Sequence, residues 1–109
     1  MGKDVLGGFE HQVLLAVVHL GDAGAYTVPV VELLRETAGK APAPAAVYTT
    51  LRRLESRGLL ESVVEPSERG GRPRRVFRVL PSGLDELRRS RETLERLWEK
   101  LPIFDGVRG

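Results

Sequence analysis

From Ala45 to Leu60 the chain reads Ala-Ala-Val-Tyr-Thr-Thr-Leu-Arg-Arg-Leu-Glu-Ser-Arg-Gly-Leu-Leu. Val47, Leu51 and Leu54 recur at i, i+4 and i+7, which is one face of an α-helix. The opposite face carries Ala45, Thr49, Arg52, Arg53 and Ser56. Pro44 suits the first helical position, and Gly58 suits a left-handed stop. The stretch therefore predicts a helix of about four turns. Its outer face is small at the start, then cationic and hydroxyl-bearing. After Gly58 the helical period is lost, and the β-branched run Leu60 to Glu65 predicts a strand.

The rest of the chain arranges itself around that switch. A first helix is expected from Gly8 to Leu20, with Phe9, Val13, Ala16, Val17 and Leu20 as its apolar stripe, widened by Leu14, Leu15 and Val18. Gly21 to Gly24 is a turn cluster. Thr27 is the expected N-cap of a second helix, with Pro29 in its first turn, Val30, Val31, Leu33 and Leu34 inward, and Gly39 as its end. Lys40 to Pro44 connects it to the third helix. Arg74 to Leu80 is rich in strand formers and bounded by prolines. The loop Pro66 to Pro73 can bend sharply at Gly70 and Gly71, so the two strands form a β-hairpin. Helix-turn-helix followed by a hairpin is the winged-helix arrangement.

A last helix is expected from Ser82 to about Leu101, with Asp85 as its capping-box acid and Pro102 as its stop. Leu87, Leu94 and Leu101 are spaced by sevens, as are Leu84, Arg91 and Trp98. Leu84, Leu87, Leu94, Leu97, Trp98 and Leu101 are therefore the expected interface with a partner helix. The competing expectation is that this helix folds back on its own core. Ile103 and Phe104 are placed to staple the tail to the helix or to a second subunit. Trp98 either fills a dimer core or flanks a cavity for an aromatic small-molecule effector.

The expected fold class is thus mainly α with a small β-hairpin: a winged helix-turn-helix over residues 1–81, then a C-terminal dimerisation helix and tail over residues 82–109. At 109 residues the chain has room for one modest core. There is no cysteine, so neither a disulfide framework nor a thiolate metal site is expected. His11 and His19 lack a third nitrogen or sulfur ligand and read as ordinary surface or partly buried residues. No catalytic set and no phosphate-cradling glycine loop before a helix is present, and no cofactor is expected. The longest apolar run, Val13 to Val18, is too short to span a bilayer. No signal peptide is visible at the start, and a cytoplasmic protein is expected.

The net charge is only +2, but Arg69 to Arg78 holds five arginines and no acid. Arginines on a hairpin lie along a phosphate ridge or place one guanidinium in a narrow minor groove. Gly70, Gly71, Arg72 and Pro73 suit the second use, with Arg74, Arg75 and Arg78 on phosphates. Arg78 is the member of this set most easily read as a solvated strand residue. Beside a helix carrying Arg52, Arg53 and Arg57, the set points to double-stranded DNA. The runner-up is a winged-helix protein-interaction module, which would present an exposed apolar patch in place of an arginine wing.

The segments Ala46 to Leu60 and Glu68 to Gly83 resemble the PadR family of transcriptional regulators. Their most specific parts are Val47-Tyr48 with Leu51, Leu54-Glu55 and Gly58-Leu59, followed by Gly71-Arg72, Arg75, Phe77 and Gly83. The resemblance runs roughly from Phe9 to Leu101. It implies a winged-helix homodimer, usually a repressor, on a palindromic operator, with C-terminal helices exchanged at the interface. It also implies Tyr48, Thr49 and Arg52 near the DNA, with Arg72 and Arg74 on the wing. Arg69, Arg75, Arg53 and Ala45 complete the expected DNA-binding set. Two positions depart from the family pattern. Ala25-Tyr26 stands where many members have Gly-Tyr, and Ala43 offers no capping side chain before the third helix.

Overall fold

The computed structural model describes residues 5–21, 24–66 and 70–101. The element order is α1 (Gly8–Leu20), α2 (Thr27–Ala38), α3 (Pro44–Ser56), β1 (Leu60–Glu65), β2 (Arg74–Val79) and α4 (Pro81–Glu99). The strands pair antiparallel, with Leu60 opposite Val79, Ser62 opposite Phe77 and Glu65 opposite Arg74. This is the expected winged helix-turn-helix.

Helix α1 meets α2, α3, α4 and β2. Its buried face is Val13, Leu14, Ala16 and Val17. Phe9, expected inside, is exposed, and so are Leu15 and Val18. The apolar stripe is wider than the four elements around it can cover. The core completes around Val30 and Leu34 of α2, Val47, Leu51 and Leu54 of α3, and Leu59, Leu60, Phe77 and Leu87. Phe77 is the largest side chain fully enclosed. At the start of α1, Glu10 accepts a hydrogen bond from the Gly7 amide at 2.9 Å. The same carboxylate oxygen lies 3.3 Å from Nη1 of Arg57, which ties the start of α1 to the end of α3.

Thr27 does not cap α2. It is the first helical residue, and Tyr26 holds the capping position in an extended conformation with no side-chain cap. The cause lies across the molecule. The Ala25 carbonyl accepts the Phe77 amide at 2.7 Å, so the chain before α2 runs along the edge of β2. Gly39 ends α2 in the left-handed region, as expected.

The end of α3 is set by Gly58, whose φ is +79°. Its amide donates to the Glu55 carbonyl at 2.9 Å, and the Leu59 amide to the Leu54 carbonyl at 3.0 Å. These two bonds are the Schellman pattern, which satisfies orphan carbonyls and reverses the chain. A side chain with a Cβ at Gly58 would be strained by about 1–2 kcal/mol. The start of α3 has no side-chain cap at Ala43; Pro44 opens it instead, and the Val47 amide donates to the Ala43 carbonyl at 3.1 Å.

The same turn receives α4. The Leu80 amide donates to the Leu59 carbonyl at 3.0 Å. The Ser82 hydroxyl donates to the Gly58 carbonyl at 2.6 Å. Ser82 is therefore not the cap of its own helix, which begins at Pro81 with Leu80 in the capping position. Asp85 is not a capping-box acid either; it pairs with Arg88 at 3.0 Å. Farther along, Nδ1 of His11 and Oγ of Ser90 are 2.8 Å apart, joining α1 to α4. Burial pushes the His11 imidazole below its ordinary value. From Arg91 onward every described residue is exposed. The helix ends at Glu99, so Leu101 lies just past it. Pro102, Ile103 and Phe104 fall outside the described residues.

Gly83 marks how closely α4 approaches. A Cβ there would stand 2.5 Å from the Leu59 carbonyl oxygen and 2.8 Å from Cγ2 of Val79. Two effects oppose each other in Gly83→Ala. Helix propensity favours alanine by about 1 kcal/mol. Overpacking against a backbone carbonyl that already accepts the Leu80 amide costs about 1–3 kcal/mol. The clash is with backbone, so packing should win, and urea unfolding should show Gly83→Ala less stable than the wild type. An equal or higher stability would mean that α4 can slide away from the turn at no cost.

Candidate nucleic-acid interface

The outer face of α3 presents Ala45, Tyr48, Thr49, Arg52 and Arg53, all exposed. Pro44 and the Schellman turn fix the two ends of this helix, and Val47, Leu51 and Leu54 fix its rotation. Thr50, next to Thr49 in sequence, is buried at the inner edge. Arg72 is exposed on the hairpin loop beside Gly70, whose φ is +76°. Arg69 lies outside the described residues.

The other wing arginines are engaged. The Arg74 guanidinium lies 4.3 Å from the centre of the Tyr26 ring, a cation–π contact. Arg75 is half-buried, and its Nη1 donates to the Ser62 hydroxyl at 2.9 Å. Arg78 is 3.7 Å from Glu61 across the strands.

A chain of polar contacts joins the helix to the wing. Ser62 donates onward to Oε2 of Glu55 at 2.7 Å. Oε1 of Glu55 lies 3.2 Å from Nε of Arg52. Nη1 of Arg52 donates to the Tyr48 hydroxyl at 3.0 Å. The Tyr48 ring meets Phe77 edge-on, with ring centres 6.4 Å apart. Tyr48, Arg52 and Glu55 form one stripe at i, i+4 and i+7, and the hairpin register brings Ser62 and Arg75 to its end.

The sequence reading missed Tyr26, Glu55 and Ser62. For Glu55 a local signal existed, its i, i+3 spacing from Arg52. For Tyr26 and Ser62 the contacts depend on how the hairpin sits on the helices.

Among the expected interface residues of α4, Leu87 is buried in this chain's own core. Leu84, Leu94, Leu97, Trp98 and Leu101 are exposed by 40%, 50%, 57%, 55% and 44%. Among the described residues there is no group of three or more His, Cys, Asp or Glu that could hold a metal ion. No described helix is long and apolar enough to cross a membrane.

Residues 14–89 match the transcriptional regulator PadR-like family. The chain belongs to that family. This PadR-like chain is also similar to a transcriptional regulator of Mycobacterium tuberculosis, 46% identical over 54 residues. That match covers 50% of the chain and 49% of the relative, so the chain matches about half the length of that relative. A PadR family regulator from Eggerthella lenta is 32% identical, with a TM-score of 0.60, and the likeness covers 87% of this chain and 76% of that one. A PadR-like transcription factor from Bacteroides fragilis has a TM-score of 0.72 at 23% identity, covering 84% of each chain. At that identity the likeness speaks for the fold. The family is one of transcriptional regulators.

The Tyr48 phenol offers a direct check on this PadR-like site. The hydrogen bond from Arg52 is the largest of the causes that hold its pKa below the ordinary value; burial opposes it, and Arg75 lowers it further. In a Tyr26→Phe background Tyr48 is the sole tyrosine left. Its ultraviolet titration should fall below the ordinary tyrosine range, and Arg52→Ala should raise the midpoint. An unchanged midpoint would mean that the Arg52–Tyr48 bond is not held in solution.

Proposed function

We propose that this PadR-like regulator is a cytoplasmic homodimer that binds a palindromic operator in double-stranded DNA and represses transcription. The observation that carries the reading is the juxtaposition of the α3 outer face with the arginine hairpin. Tyr48, Thr49, Arg52 and Arg53 lie on a helix of the length and exposure that a major groove accepts. Arg72 stands on a glycine-containing loop suited to phosphates or a narrow minor groove. Arg74 and Arg75 are held on Tyr26 and Ser62, and their charge adds to the same basic field.

Dimerisation is part of the same reading, with the winged domain over residues 1–81 and the dimerisation helix after it. The exposed second half of α4 supports it. Leu94 and Leu97 line a groove of about 440 Å³ together with Val5, Leu6 and His11, and Trp98 stands on the same helix. An apolar stripe of this kind on an otherwise charged helix fits a partner helix.

The test of the function is selection of bound duplexes from a random DNA pool. A palindromic motif is the expected outcome. Val63 and Val64 are exposed on opposite faces of β1, and these two apolar side chains on the wing are what favours the interaction-module reading. Absence of any enriched motif would favour that module and overturn the DNA reading.

Leu94→Asp tests the dimer. Each protomer would lose the burial of a leucine, about 1.5–3 kcal/mol, and would place a carboxylate close to its symmetry mate. The helix itself should survive, because aspartate costs only about 0.7 kcal/mol in propensity. The variant should be a folded monomer by sedimentation. Its affinity for the selected operator should fall by orders of magnitude, because a monomer reads one half-site. A dimer that persists would place the interface away from α4.

A further inference from the structure

Glu55 sits where the recognition helix meets the root of the wing. Its two carboxylate oxygens face different partners. Oε2 accepts the Ser62 hydroxyl at 2.7 Å, and the Ser62 oxygen accepts Nη1 of Arg75 at 2.9 Å. Oε1 is closed off from solvent and takes part in no hydrogen bond. It lies 3.2 Å from Nε of Arg52, so the pairing there is one of charge. At its other end the Arg52 guanidinium donates from Nη1 to the Tyr48 hydroxyl at 3.0 Å. The guanidinium is thus held by one hydrogen bond, to Tyr48, and drawn by charge toward Glu55.

An arginine fork has five N–H donors in a fixed plane. With Nε facing Glu55 and one Nη1 hydrogen on Tyr48, the second Nη1 hydrogen and both hydrogens of Nη2 remain. Those are the donors that reach the two acceptors on the major-groove edge of a guanine. The Arg52 side chain is still 48% exposed, so a base can approach it.

We propose that Glu55 is a positioning residue for sequence specificity. It holds Arg52 in one orientation toward a base edge and couples that orientation to the wing through Ser62 and Arg75. The inference rests on the DNA-binding reading of the preceding section. Two physical effects act together. A side chain ordered before binding loses less rotamer freedom on contact, which favours the base that fits the held geometry. A carboxylate beside the guanidinium also repels phosphate, which turns Arg52 away from sequence-blind backbone contact and toward a base edge.

Glu55→Gln keeps the side-chain length and an amide oxygen for Ser62 while removing the charge that faces Arg52. The measurement uses the full chain and the motif that it selects from a random pool. At one salt concentration, affinity is compared between the selected duplex and single-base-pair variants of it. Wild type, Glu55→Gln, Arg52→Ala and the double variant are all measured, with thermal unfolding to confirm that each is folded.

At the base pair where Arg52→Ala erases discrimination, Glu55→Gln should lower the matched-to-mismatched ratio about ten-fold. Affinity for the mismatched duplex should stay the same or rise, because a negative charge has left the interface. Adding Glu55→Gln to Arg52→Ala should change the ratio no further, which a general loss of stability or charge would not produce. Three results overturn the inference alone: a wild-type ratio in Glu55→Gln, a loss that persists undiminished without Arg52, or discrimination at every base pair that survives Arg52→Ala. A wild-type chain that enriches no motif overturns the DNA-binding reading and this inference with it.

Discussion

Two adjacent backbone carbonyls, those of Gly58 and Leu59, hold the molecule together at one point. Gly58 takes the left-handed conformation that ends α3, and the turn that follows presents both carbonyls to α4. The Ser82 hydroxyl and the Leu80 amide take them up. Gly83 lets the helix come close enough for both bonds to form. Helix α3, the first strand of the wing and the last helix thus share a single corner. A shift at this corner would move the α3 outer face, the arginine hairpin and the projecting half of α4 relative to one another.

That geometry explains why the polar chain from Tyr48 to Arg75 can exist. Hydrogen bonds through a serine and a carboxylate tolerate displacements of only a few tenths of an ångström. The hairpin must therefore leave α3 at a fixed angle for Ser62 to reach Glu55. The Schellman turn fixes the exit direction, and the Phe77 amide on the Ala25 carbonyl holds the far edge of the hairpin against the chain before α2. A winged helix without these restraints could keep all its arginines and still present them in no defined relation to α3.

Charge is distributed with the same economy. The wing holds an acid-free run of arginines in sequence, yet in the fold Arg74 covers Tyr26, Arg75 turns toward Ser62, and Arg78 lies near Glu61. Arg72 is exposed on the loop. Surface pairs such as Arg78 with Glu61 contribute little to stability in water. Their effect is on the local field, which is softer than a count of arginines implies.

Much of this was determined by the sequence alone. The spacing of Val47, Leu51 and Leu54, the stops at Gly39 and Gly58, and the proline-bounded strands reach only a few residues along the chain. Period and turn chemistry are short-range properties, so α1, α2, α3 and the hairpin could be read directly, along with the outward placement of Ala45, Thr49, Arg52 and Arg53. Only the tertiary structure decided the rest. Thr27 lost the capping position because Ala25 is paired to β2, and Ser82 lost its own because the Gly58 carbonyl competes for its hydroxyl. Phe9 stayed outside because too few elements surround α1. Glu55 and Ser62 entered the site because the hairpin register carries a serine to the end of the Tyr48–Arg52 stripe. For Thr27, Ser82 and Ser62 the deciding partner lies on a different element, and the choice between local and distant partners is made by packing, which no periodicity records.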